Sequence, residues 1–95
     1  EEVDALRAAG VPVTVVPGVS SALAGAAAAD IPVTWRGVAR SFAVVSAQQG
    51  ASQDGGRPAL DDVARVAGAD TVVVLMARAA LAAVAATLAA AGRAP

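Results

Sequence analysis

Cysteine, histidine, lysine and tyrosine are all missing from this 95-residue chain. Without cysteine there is no disulfide framework and no thiolate metal site. Without histidine the commonest neutral metal ligand is gone, and serine–histidine catalysis cannot be assembled from these residues. Seven arginines face eight acidic residues for a net charge of −1, with no basic block. That balance lacks the electrostatic footprint of a nucleic-acid binder. The longest uncharged apolar run, residues 79–91, includes Thr87 and falls short of the roughly 20 residues that a bilayer span needs. No signal-peptide pattern is visible in these residues. The expectation is a cytoplasmic protein with neither a nucleic-acid nor a membrane partner.

What is present is small and apolar. The chain is 57% hydrophobic, and 28 alanines and 16 valines supply most of that. Low charge with this apolar content argues against disorder. Large side chains are scarce: six Leu and one each of Ile, Met, Phe and Trp. Burial stabilises by roughly 25 cal/mol per Å² of apolar area, so alanine contributes little to a core. Such a composition implies layers that pack against further sequence. The chain opens on Glu1-Glu2 without an initiator Met and stops at Pro95. The expectation is an internal segment of a larger protein.

Periodicity orders the elements. Residues 1–9 read as the end of a helix with Val3, Leu6 and Ala9 on one stripe and Gly10 as its stop. Residues 11–16 are short and β-branched, which predicts a strand, and Pro17-Gly18 breaks it. Ser20 or Ser21 can cap a second helix running to about Ala29, where Asp30 and Pro32 end it. Residues 31–40 have no period and read as a connection. FAVVS, residues 42–46, is a continuous apolar run of the kind that parallel sheets cover on both faces. Residues 48–58 are rich in glycine and polar groups and read as a loop. Leu60, Val63, Ala64 and Ala67 mark a short amphipathic helix ended by Gly68. TVVVLM, residues 71–76, is a further strand, and Leu81, Val84 and Leu88 mark a last helix closed by Gly92. The fold class is α/β, in the order α-β-α, connection, β-α-β-α.

Four places carry chemical content, each with a plain structural alternative. The run from Val15 to Ala22 takes a strand through Pro-Gly to a serine-capped helix start, where free N–H groups can receive a polar ligand. An ordinary turn with a serine cap explains it equally well, and neither dinucleotide nor P-loop spacing is present. Arg36 and Arg40 lie in the connection, where two guanidiniums can clamp a carboxylate or simply be solvated. Met76-Ala77-Arg78 stands at the carboxyl end of a strand, where open α/β sheets bind ligands. The alternative is a gap-filling core methionine. Glu1-Glu2 need be no more than favourable charge in a helix first turn.

The same places carry a resemblance. The run VPVTVVPGVSSALAGAAAADIPVTWRGVARSFAVVSAQ resembles the uroporphyrinogen-III C-methyltransferases, of the tetrapyrrole methylase family. Gly10-Val11-Pro12 and residues 15–22 match that family's G-I-P-x-x-V-V-P-G-V-T/S-S-A wording. Residues 30–37 match G-I-P-L-T-H-R-G, residues 44–48 a strand ending V-T-G-H, residues 70–77 D-T-L-V-x-x-M-G, and residues 90–95 A-A-G-R-x-P. Glu1-Glu2 fall where a G-R-G-G-E-E motif ends. Trp35 replaces the usual His, Ala47-Gln48 replaces Gly-His, and Ala77 replaces Gly.

The resemblance implies a two-domain α/β tetrapyrrole methylase fold, with this chain spanning the junction of the two domains. Residues 1–37 would close the first domain and residues 38–95 would open the second. It implies S-adenosyl-L-methionine as methyl donor and a tetrapyrrole as substrate. The reaction would convert uroporphyrinogen III to precorrin-2 for sirohaem or cobalamin. A homodimer is expected of the full-length protein. Ser20, Ser21 and Met76 match the residues that contact the donor. Glu1 matches the carboxylate facing the tetrapyrrole, and Arg36 the substrate-facing arginine. The alternatives are a precorrin methyltransferase of the same fold, or an inactive piece that only packs or dimerises.

Overall fold

The computed structural model describes residues 1–48 and 59–94. Its elements are helix α1 (Glu2–Ala8), helix α2 (Ser21–Ala28), strand β1 (Phe42–Ser46), helix α3 (Leu60–Val66), strand β2 (Thr71–Leu75), a 3-10 turn (Arg78–Ala80) and helix α4 (Leu81–Ala90). The strands β1 and β2 lie side by side and parallel, Phe42 opposite Thr71 and Ser46 opposite Leu75. Parallel neighbours need a crossover, and α3 supplies it. The expected loop at residues 48–58 lies outside the described residues apart from Gln48.

Local chemistry explains the helix ends. Ser20 caps α2, its Oγ accepting from the Ala22 N–H at 3.2 Å. Three helices finish alike, with paired bonds back into the last turn and a left-handed residue just past the cap. After α1 that residue is Gly10 (φ 73°), with the Val11 N–H reaching the Leu6 carbonyl at 2.9 Å. After α4 it is Gly92 (φ 91°), with the Arg93 N–H reaching Leu88. Asp30 (φ 56°) does the same after α2, where a glycine would be unstrained. Gly68 is different. It is not left-handed, and α3 ends on Ala67 instead.

One small core forms. Val63, fully buried, packs with Ala47 and Val84, and Val45, Leu60, Val74, Ala77, Ala80 and Leu88 surround them. The helices α3 and α4 therefore cover one face of the sheet. The amino ends of the strands are clasped beneath it. Asp70 Oδ2 accepts from the Arg40 and Ser41 N–H groups, each at 2.9 Å, and from Ser41 Oγ at 2.8 Å. The Ser41 hydroxyl in turn accepts from the Asp70 N–H at 3.0 Å. Arg93, just past α4, donates to the carbonyls of Ala67, Ala69 and Asp70.

Several expectations are corrected. Residues 11–16 join no strand pair. Their β-branched side chains favour extended backbone, but a strand is completed by hydrogen bonds to a neighbouring edge, and the one described ladder is between β1 and β2. The FAVVS strand is covered on one face only, because Phe42 and Val44 are exposed opposite the helices. Ala64 and Leu81 are exposed on the outer sides of α3 and α4 rather than buried. Met76 lies beyond β2, not within it.

The surface is large for the chain's size. It measures 7320 Å², where a compact 9.1 kDa monomer shows about 4,900 Å². The radius of gyration is 16.5 Å against about 12.4 Å for a compact domain of this length. Large apolar side chains lie open on it, Val16 and Val19 being 82% and 89% exposed.

Candidate functional site

The carboxyl ends of β1 and β2 open into a cleft of about 560 Å³. Ala47 and Gln48 come from the end of β1, Met76 from the end of β2, Arg78, Ala79 and Ala80 from the 3-10 turn, and Ala83 from α4. The ladder is still closed at its last rung, the Ala47 N–H donating to the Leu75 carbonyl at 2.9 Å. One residue later the backbone turns. Met76 takes φ 57°, a left-handed conformation that crowds Cβ against the carbonyl oxygen and is disfavoured for any residue but glycine. Its N–H and carbonyl have no backbone partner among the described residues, and the residue is 70% exposed. Strain of this kind persists where the surroundings enforce it, and it concentrates at ligand sites. Ala77, the replacement for a family glycine, sits at φ −89°. The left-handed turn falls one residue earlier, so alanine is accommodated without strain.

The cleft owes its volume to alanine. Four of the seven lining residues are Ala, and larger side chains there would fill the space. Its polar groups are the Gln48 amide and the Arg78 guanidinium. A small-walled site with an exposed peptide unit at Met76 suits a ligand with an apolar body and a polar end.

The other expected site residues lie elsewhere. Ser20 caps α2 and Ser21 is its first residue, both exposed. The helix α2 approaches β2, and Ala22 is buried, but neither serine lines the cleft. Arg36 sits in a tight turn in which the Val38 N–H donates to the Trp35 carbonyl at 3.0 Å. Trp35 and Ala39 exchange two further bonds at 2.8 Å, and Gly37 (φ 80°) supplies the left-handed corner. This holds Arg36 at an exposed tip, with no salt bridge among the described residues. Glu1 precedes α1, fully exposed. Of the five, the structure brings Met76 alone to the cleft.

Sequence reading noted Arg78 only beside Met76 and Gln48 only as a departure from the family wording, and it passed over the pairing of Asp70 with Ser41. Gln48 and Arg78 reach the cleft because each follows a strand end within three residues, a legible signal. Asp70 and Ser41 each stand one residue before a strand, so parallel pairing brings them together. The two N–H groups and the hydroxyl, first among them the Arg40 N–H, hold the Asp70 carboxyl below the ordinary aspartate range. This clasp is at the opposite end of the sheet from the cleft and fastens the strands.

Comparison with known proteins decides the family. The family model of the tetrapyrrole (corrin/porphyrin) methylases matches residues 1–95. The chain belongs to the tetrapyrrole methylase family. Among curated relatives, it is 38% identical over 76 residues to the uroporphyrinogen-III C-methyltransferase of Methanocaldococcus jannaschii, covering 80% of this chain and 30% of that protein. It is 40% identical over 76 residues to the sirohaem synthase of Tolumonas auensis, again over 80% of this chain but 15% of the relative. A crystal structure of uroporphyrin-III C-methyltransferase from Thermus thermophilus, complexed with S-adenosylhomocysteine, superimposes with a TM-score of 0.76 at 42% identity. That match covers 99% of this chain and 37% of the other. The fold is therefore that of a tetrapyrrole methylase, of which the chain accounts for about a third. Among the described residues no helix is long and apolar enough to cross a membrane.

Proposed function

We propose that the chain is part of a methyltransferase that C-methylates uroporphyrinogen III to precorrin-2, with S-adenosyl-L-methionine as donor. The observation that carries this reading is the 42% identity over nearly the whole chain to a methyltransferase crystallised with S-adenosylhomocysteine. The sirohaem synthase relative points to the sirohaem branch, with cobalamin as the other destination of the same product. The donor supplies an electrophilic methyl group. The protein's task is then to hold it in line with a pyrrole carbon. In this reading the cleft at Met76 receives the donor, its alanine walls leaving room and the Met76 peptide offering hydrogen bonds. Ser20 and Ser21 close on the same ligand from α2. Glu1 and Arg36 belong to the substrate side, where a carboxylate can take pyrrole N–H bonds and a guanidinium can fork onto the substrate's own carboxylates.

Residues 1–37 close a first domain and residues 38–95 open a second in this reading. It is supported by where the sheet and its covering helices lie, residues 42–90. The large apolar surface supports a chain that is covered in the whole protein, which we place in the cytoplasm as a homodimer. The test is calorimetric binding of S-adenosylhomocysteine and turnover of uroporphyrinogen III by the whole protein that carries these residues. Arg36→Ala should lower turnover roughly ten- to a hundredfold while donor affinity and melting temperature hold. Normal turnover in that variant removes Arg36 from the site. Absence of both donor binding and turnover in the wild type removes the function.

A further inference from the structure

We infer that Arg78 is a carboxylate-binding, specificity-determining residue of the cleft at the ends of β1 and β2. The inference rests on the donor and substrate reading above. Arg78 contributes the cleft's one charge, and among the described residues it has no salt bridge. Around it the walls are Ala47, Ala79, Ala80 and Ala83, with Met76 lining the space just beyond β2 and Gln48 as the other polar residue. Apolar walls with one cation at the rim suit a ligand with an apolar or aromatic body and an anionic end. A guanidinium binds a carboxylate through two parallel hydrogen bonds, which fixes orientation as well as affinity. Arg78 opens the 3-10 turn directly after Met76-Ala77. The residue that fixes the cleft's shape and the residue that supplies its charge are thus two positions apart on one backbone.

Two ligands of the proposed reaction carry the required group. The donor ends in an amino-acid carboxylate, and the tetrapyrrole bears carboxylates on its rim. The experiment separates them in the whole protein, using Arg78→Ala and Arg78→Lys. Three probes are titrated by calorimetry or fluorescence: S-adenosylhomocysteine, 5′-methylthioadenosine, which keeps the nucleoside thioether but lacks the amino-acid end, and uroporphyrin III. Arg78→Ala should weaken one of the two carboxylate probes roughly ten- to a hundredfold. Arg78→Lys should recover part of the loss. Weakened S-adenosylhomocysteine with unchanged 5′-methylthioadenosine assigns Arg78 to the donor carboxylate. Weakened uroporphyrin with unchanged S-adenosylhomocysteine assigns it to the substrate. Unchanged affinity for all three, or equal losses for S-adenosylhomocysteine and 5′-methylthioadenosine, overturns the inference while leaving the function standing. A wild-type protein that binds none of the probes overturns both.

Discussion

Residues 1–37 and residues 38–94 are built from equally good local signals and reach different ends. Both halves have well-closed helices: α1 and α2 finish on the same left-handed pattern as α4, and α2 adds a serine cap. Yet the first half buries Ala22 alone, while the second assembles a parallel sheet, a core on Val63 and a clasp on Asp70 and Arg93. Capping acts within a few residues of sequence and needs no partner. Strand pairing and core packing need a second surface. In the first half the valines that would make a strand have none, so they stay in the open.

The sharpest way to break this comparison is to put a charge into each half. Val63→Asp places an unpaired carboxylate in the centre of the core and should cost more than about 4 kcal/mol, measured by chemical unfolding of the whole protein. Val16→Asp should leave the helix content of the isolated 95-residue chain unchanged in circular dichroism. In the whole protein the same substitution should lower the melting temperature by several degrees, in line with the proposal that further sequence covers that segment. Equal indifference in both settings would show that the first half is exposed by nature.

Arg93→Ala comes next. The guanidinium ties three carbonyls at the end of α3 and the start of β2 to the end of α4. Its loss should destabilise by about 1.5–3 kcal/mol, read as a lower denaturation midpoint with an unchanged slope. Smaller and opposite in sign is Asp30→Gly. It relieves a left-handed side chain and removes a negative charge from the negative end of α2. A gain of about 0.5–1 kcal/mol is expected, and a loss would mean that the Asp30 carboxylate has a partner in the whole protein.

The smallest effect is the acid response of the clasp. Asp70 is held below the ordinary aspartate value by hydrogen bonds to its charged form. Its contribution is therefore complete above about pH 4 and fades as pH falls through its lowered native value. Asp70→Asn should reduce this part of the fall in melting temperature between pH 5 and pH 2. An unchanged acid response would show that the clasp titrates no differently when folded.

Much of the fold was legible because its signals are local. The bounds of β1 follow from an apolar run between polar ends, and the stops at Gly10 and Gly92 from the left-handed residue each helix needs. Ser20 is a cap because its hydroxyl reaches an N–H two residues on. The candidate site was legible in part. Met76 and Arg78 line the cleft as their place at the end of a strand allowed, whereas the clasp of Asp70 on Ser41 acquires meaning only from the pairing of the two strands.

The sequence by itself determined the helices, the stops at Gly10 and Gly92, the three short apolar runs able to form strands and the family wording that the chain carries. The tertiary structure alone decided which β-branched run found an edge, which face of β1 stayed bare, and that Met76 rather than Ala77 took the left-handed turn. It also decided that Ser41, Asp70 and Arg93, separated by 20 residues and more in the chain, would share one clasp. The physical reason is range. A cap or a turn is settled by backbone geometry over four or five residues, but a strand, a cleft or a clasp exists only once distant segments stand side by side.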